Sequence, residues 1–178
     1  MEPEKVEQVV EAGRYAPSGG NNQYTHFLVL RDRAVLSEVA RIAREEFAKM
    51  EVTSDTYQSL ANSIRFSKKG DYIFHYNAPV LILTANRIAY GNAMADCCCA
   101  VENMLLMANA LDLGSCYINQ MKWLNEDPVM TDYLRTLGLR EGEKVFASLV
   151  LGYADTKDGL PFRRVVARKG NPVTWIGE

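Results

Sequence analysis

The stretch AMADCCCAVENMLLMANAL, Ala93 to Leu111, decides the fold class. It reads as one long helix with apolar residues on nearly every side, and such a helix is buried on most sides. A small protein achieves this in two ways. The helix is the centre of the core, or it gives one face to the core and the other to a second subunit. Asp96 and Asn103, seven positions apart, share one face, with Glu102 beside it. Gly114 is expected to end the segment.

Working outward, helical and extended patterns alternate. Val6, Val9, Val10 and Gly13 recur at helical spacing, so Glu4 to Tyr15 reads as an amphipathic helix. His26 to Leu30 reads as a short buried strand. Val35, Leu36, Val39, Ile42, Ala43 and Phe47 give a second helix from Ala34 to Met50. Residues 51–75 are polar with scattered aromatics and read as short helical pieces and loop. Pro79 to Thr84 is a strand of aliphatic residues without alternation, the pattern of a strand covered on both faces. Asp127-Pro128 supplies an N-cap and a first-turn proline for a further helix that Gly138 closes. Lys144 to Ala154 is the third clear strand. The tail has strand character with no helix after it, and such extensions add to another chain's sheet. A mixed sheet packed with helices follows, in a single domain over 1–178, with no internal repeat or linker.

Composition excludes several classes. A net charge of −2 gives no electrostatic case for nucleic acid or an anionic membrane. No apolar run approaches the roughly 20 residues of a membrane span, and the acidic, helical start is not a signal peptide. A cytoplasmic protein is expected. Cys97, Cys98 and Cys99 are consecutive, so on a helix they point about 100° apart and do not converge on one metal. They read as small, buried, reduced side chains.

Most catalytic constellations are missing. The two histidines, His26 and His75, lie outside any HExxH spacing, and His26 opens a strand, where a structural role is expected. GxSxG, GxGxxG and Walker-type motifs do not occur. An enzyme with this inventory takes its reactive group from a cofactor. Three segments suit that task. APSGGNNQ (Ala16–Gln23) offers glycines for close backbone approach, with Ser18, Asn21, Asn22 and Gln23 as donors and acceptors. LGSCYINQM (Leu113–Met121) places backbone and two amides after the long helix. PFRRVVARK (Pro161–Lys169) supplies adjacent guanidinium groups suited to a phosphate.

Together, in order, these segments resemble the nitroreductase family of flavin-dependent oxidoreductases. The family's APSxxNxQP-like loop, aPvli strand, long apolar helix with GLGscwig, and lGyp strand end stand here as RYAPSGGNNQYTHF, NAPVLILTA, CCCAVENMLLMANALDLGSCYIN and SLVLGYADTKDGLPFRRV, covering about Val6 to Arg164. The resemblance implies an α+β, three-layer fold: a mixed, mostly antiparallel sheet flanked by helices, with the long buried helix at a homodimer interface. It implies one FMN at each of two interface sites, NADH or NADPH as reductant, and nitroaromatic, quinone or similar electron-poor acceptors reduced by a ping-pong mechanism. Pro17, Ser18 and Gly19 would line the ring from one subunit, with Asn21 and Gln23 holding the loop or reaching the ring. Tyr117, Ile118, Asn119 and Gln120 would lie under it from the other, a backbone N–H near Asn119 serving flavin N5. Arg163 or Arg164 would bind the phosphate.

Two features depart from the pattern. The family's RRSxRxF-like opening has no counterpart in MEPEKVEQVVEAG: either the start lies upstream, or phosphate binding is weaker by one or two charge-assisted hydrogen bonds, about 1.5–3 kcal/mol each. Tyr24 follows Gln23 where proline is usual. The first departure motivates an alternative, a flavin carrier or sensor of the same fold with little reductase activity. Relatives that deiodinate aromatics or cleave flavin need lid residues that 51–75 does not display, and a dimeric interaction protein without flavin is the remaining alternative.

Overall fold

The computed structural model describes residues 1–163 and 165–177. In chain order it contains α1 (Pro3–Arg14), β1 (His26–Leu30), α2 (Arg33–Lys49), α3 (Gln58–Lys69), β2 (Val80–Arg87), α4 (Ala93–Ala110), β3 (Gly114–Ile118), α5 (Gln120–Trp123), α6 (Pro128–Thr136) and β4 (Glu143–Gly152). The strands form one sheet in the order β1-β2-β4-β3, and every pairing described is antiparallel, the predominant class expected.

The layers follow from side-chain parity. On β2, Leu81, Leu83 and Ala85 face a core shared with α2, α3, α5 and α6, while Val80 and Ile82 face a second core shared with α1 and α4. Burial on both faces explains the unbroken apolar run, each Leu or Ile contributing about 1.5–3 kcal/mol. A bulge between Thr84 and Ala85 lets Phe146 slip, so Val145 faces the first core while Ala147, Leu149 and Leu151 face the second. The result is the three-layer α+β arrangement: two helices, sheet, four helices. Among the described residues no helix is long and apolar enough to cross a membrane.

Four local expectations are corrected. Gly114 does not end α4; it begins β3. The turn is made by Asp112, whose φ of 58° is left-handed. Leu113 N–H reaches Ala108 O at 2.8 Å and Asp112 N–H reaches Asn109 O at 3.3 Å, a Schellman closure built without glycine. Residues 58–69 form one continuous helix, closed by Gly70 at φ 97°. Its inward positions include Ser63 and Ser67, and those polar residues hide the apolar period. Of the cysteine triplet only Cys97 is buried; Cys98 is half-buried and Cys99 exposed, because successive helical positions turn away from the core. The described tail residues beyond Gly152 carry neither helix nor strand, and Phe162, Trp175 and Ile176 are close to fully exposed.

Candidate functional site

Two of the polar segments meet the start of α4. Pro17 follows the end of α1, and the chain then makes a tight turn in which Asn21 N–H reaches Ser18 O at 2.9 Å. Gly20, Asn21 and Gln23 adopt φ of 60°, 53° and 54°. Glycine and asparagine accept this region readily; glutamine does so at a cost. That cost is offset locally: Gln23 N–H donates to Ser18 Oγ at 3.0 Å, and its side-chain NH2 donates to Asn21 Oδ1 at 3.0 Å. So Asn21 and Gln23 hold the loop.

The loop is clamped to α4. Gly19 N–H donates to Asp96 Oδ1 at 3.0 Å, and Tyr90 Oη donates to Gly19 O at 2.9 Å. A Cβ on Gly19 would lie 2.0 Å from Asn92 Nδ2 and 2.7 Å from Tyr90 Oη, so only glycine fits. Tyr24, the residue where the family places proline, secures the clamp from outside. Its ring meets Tyr90 edge-on at 5.4 Å, and the Arg87 guanidinium lies 4.1 Å from its centroid. Between loop, α1 and α4 opens a cleft of about 370 Å³, lined by Glu11, Arg14, Pro17, Ser18, Asn21, Gln23, Thr25 and Asp96. Arg14 is paired with Glu11 at 2.6 Å.

Tyr117 approaches α4 from the other side, its hydroxyl 3.9 Å from Cys98 Sγ. Asp96 and Cys98, two positions apart, project about 200° apart. One chain therefore sets the loop and Tyr117 on opposite flanks of the same helix. Ile118, the last residue of β3, is buried in the core shared with α2, α3, α5 and α6. Gln120 is also buried, and its polarity is fixed. Asn119 N–H is a donor only, so the atom it meets at 3.1 Å is the Gln120 carbonyl oxygen. The NH2 group then donates to Tyr72 Oη at 2.9 Å, Tyr72 donates to Ser63 Oγ at 3.0 Å, and Ser63 donates to Ser59 O at 3.2 Å. A one-way hydrogen-bond chain thus ties the 117–120 segment to α3.

Arg163 is not brought to the loop of its own chain. It donates to Asn109 O at 2.7 Å and pairs with the Asp112 carboxylate, at the opposite end of α4, about 20 Å along the axis from Asp96. Arg164 lies outside the described residues. His26 donates from Nδ1 to Glu143 Oε2 at 2.8 Å, the satisfied structural role expected. Among the described residues no cluster of metal-ligating side chains occurs.

Sequence reasoning missed Tyr90 and Asn92, which carry no motif, gave Arg14 at the head of RYAPSGGNNQYTHF no role, and saw Asp96 only as a polar position. An aspartate in the first turn of an otherwise apolar helix was the available signal.

Burial pushes the Cys97 thiol up to about 12, and Tyr117 likewise to about 12 through burial and then Cys98. The folded state holds these protons after the unfolded chain has released them. Their stabilising contribution is complete below pH 9 and is lost as pH rises toward 12. The melting midpoint is expected to fall across that window. Cys97 is expected to resist alkylation at pH 8 until the protein is denatured, as read by mass spectrometry.

The comparisons agree with this architecture. A relative from Archaeoglobus fulgidus, whose name pairs NADH dehydrogenase with NAD(P)H nitroreductase, is 30% identical over 165 residues, covering 87% of this chain and 76% of the relative. A Bacteroides fragilis nitroreductase solved with bound FMN is similar at TM-score 0.84 and 30% identity, covering 99% of this chain and 89% of that one. A Desulfitobacterium hafniense nitroreductase, at TM-score 0.80 and 22% identity over 99% and 88% of the two chains, shares the fold. The model of the nitroreductase family matches residues 1–153, a span that holds both the clamped loop and the segment hydrogen-bonded to α3. By sequence and by fold, the chain belongs to the nitroreductase family.

Proposed function

We propose that the protein is an FMN-dependent oxidoreductase that uses NADH or NADPH to reduce nitroaromatic, quinone or similar electron-poor acceptors. The observation that carries this reading is the clamped loop, in a member of this family that resembles an FMN-bound nitroreductase over nearly its whole length. The residues suit the group. The loop puts backbone where a flat ring needs close approach, and the cleft beside it contains a buried carboxylate oxygen with no partner among the described residues. FMN, when bound, supplies a two-electron carrier between nicotinamide and acceptor, which makes turnover ping-pong. The chain's own part is to bind, orient and exclude water. Pro17, Ser18 and Gly19 present the ring-facing backbone, and Asn21 and Gln23 keep it rigid. Gln120 holds Asn119 and its neighbours Tyr117 and Ile118 in place for the opposite face. Arg163 and Arg164 are the candidates for the phosphate.

The working unit in this reading is a homodimer of single-domain chains, because loop and Tyr117 flank opposite sides of α4 within one chain. Two surfaces support it: the outer face of α4, where Met94 and Leu106 are exposed, and the apolar tail. A second reading, a flavin carrier or sensor, is favoured by one observation: the arginine lining the cleft and the arginine at the far end of α4 are already paired, Arg14 with Glu11 and Arg163 with Asp112. One experiment separates them. Purified protein is expected to run as a dimer, to show a flavin spectrum after incubation with FMN, and to bleach on anaerobic addition of NADH or NADPH. Bound flavin that stays oxidised selects the carrier; protein that takes up no FMN rejects both.

A further inference from the structure

Asp96 is 5% exposed and lines the cleft, and its two oxygens have different fates. Oδ1 accepts from Gly19 N–H. Oδ2 is buried and has no hydrogen-bond partner among the described residues. A buried carboxylate oxygen left unpaired is costly, so the site is built to receive a donor. Four donors of the loop and cleft are committed elsewhere: Gln23 N–H to Ser18, Gln23 NH2 to Asn21, Tyr90 Oη to Gly19 O, and Arg14 to Glu11. The position in the first turn of α4 favours negative charge there, although the Asp96 backbone N–H is itself bonded to Asn92 O at 2.9 Å.

We propose that Asp96 is a binding residue of this cleft, with Oδ1 positioning the loop and Oδ2 accepting a hydrogen bond from an N–H or O–H of the bound molecule. The assignment rests on the flavin reading, under which the donor is the imide N–H of the ring or a hydroxyl of the ribityl chain. It makes Asp96 a determinant of cofactor affinity and, if the donor is on the ring, of its reduction potential, because a fixed negative charge disfavours the reduced, electron-rich ring.

Asp96→Asn separates the two roles. The asparagine carbonyl still accepts from Gly19 N–H, while its NH2 group turns the second position from acceptor into donor. Three quantities are measured: FMN affinity by fluorescence titration, the midpoint potential of the bound flavin, and the melting midpoint of flavin-free protein. Asp96→Asn is expected to melt close to the parent and to bind FMN at least ~10-fold more weakly. Asp96→Ala loses affinity and also melts lower. 3-Methyl-FMN, which lacks the imide N–H, identifies the donor. If the imide is used, Asp96→Asn no longer weakens binding of this analogue and raises the potential of bound FMN. If a ribityl hydroxyl is used, the variant weakens both flavins alike. Asp96→Asn matching the parent in affinity and potential overturns the assignment. So does weaker binding that merely tracks a lowered flavin-free melting midpoint with no dependence on the flavin used and no change in potential, since Asp96 then only supports the loop. A parent protein that binds no FMN overturns the flavin reading itself, and with it this assignment.

Discussion

Gly19→Ala is expected to weaken FMN binding about 100-fold and to lower the melting midpoint by about 6–12 °C. The added Cβ falls 2.0 Å from Asn92 Nδ2 and 2.7 Å from Tyr90 Oη. Asn92 is exposed and swings aside. Tyr90 does not, because its hydroxyl holds Gly19 O and its ring is braced by Tyr24. The loop must therefore lift. Lifting breaks the bonds to Tyr90 and Asp96, each worth about 1 kcal/mol or more, on top of an overpacking cost of about 1–3 kcal/mol. A total near 3 kcal/mol corresponds to roughly 100-fold, since each 1.4 kcal/mol is tenfold. Fluorescence titration of the variant with FMN measures it. Parent-like affinity in Gly19→Ala would show that the loop backbone does not touch the cofactor.

The same loop shows what sequence does and does not reveal. Its length and polarity mark it as more than a turn, and its family pattern gives it a role. Its clamp was hidden because the partners come from 71 to 77 positions away, and Tyr90, Asn92 and Asp96 form no local motif. β1, β2, β4 and α4 were legible because apolar runs and turn residues bound them. β3 was not. It is an edge strand whose Ser115, Cys116 and Tyr117 are exposed, so it lacks the apolar run that betrays β2 and β4. α3 escaped for a related reason, since Ser63 and Ser67 stand where Leu or Val would reveal the period. In both cases polar residues occupy inward or edge positions; Ser63 is joined through Tyr72 to Gln120, a pairing that exists only in three dimensions, while Ser67 Oγ is buried without a hydrogen-bond partner among the described residues. Arg163 shows the converse error of proximity in sequence: it stands beside Arg164 in a basic run, yet its guanidinium caps the far end of α4.

Gln120→Leu is expected to cost about 3 kcal/mol and to lower the melting midpoint by about 6–12 °C for a chain of this size. Leucine matches the volume but strands the half-buried Asn119 N–H and removes the donor to half-buried Tyr72, each group left unpaired costing about 1–3 kcal/mol. Tyr72→Phe removes only the middle of the chain and costs less, because Ser63 keeps its bond to Ser59 O. The double variant Gln120→Leu, Tyr72→Phe is expected to fall short of the sum of the singles, since the second substitution removes a hydroxyl whose donor the first has already taken away. Direction gives a sharper test. Gln120→Glu still accepts from Asn119 N–H, but its other oxygen only accepts, so Tyr72 must turn its proton toward it. Ser63 must then donate to Tyr72 and abandon Ser59 O. At a pH where the glutamate is ionised the whole chain has to reverse around a buried charge, so there Gln120→Glu is expected to be at least as destabilising as Gln120→Leu despite its closer shape. If denaturant unfolding at a pH where the glutamate is ionised finds the variant near parent stability, the hydrogen bonds do not run from Asn119 to Ser59, and the link between the 117–120 segment and α3 is not built on them.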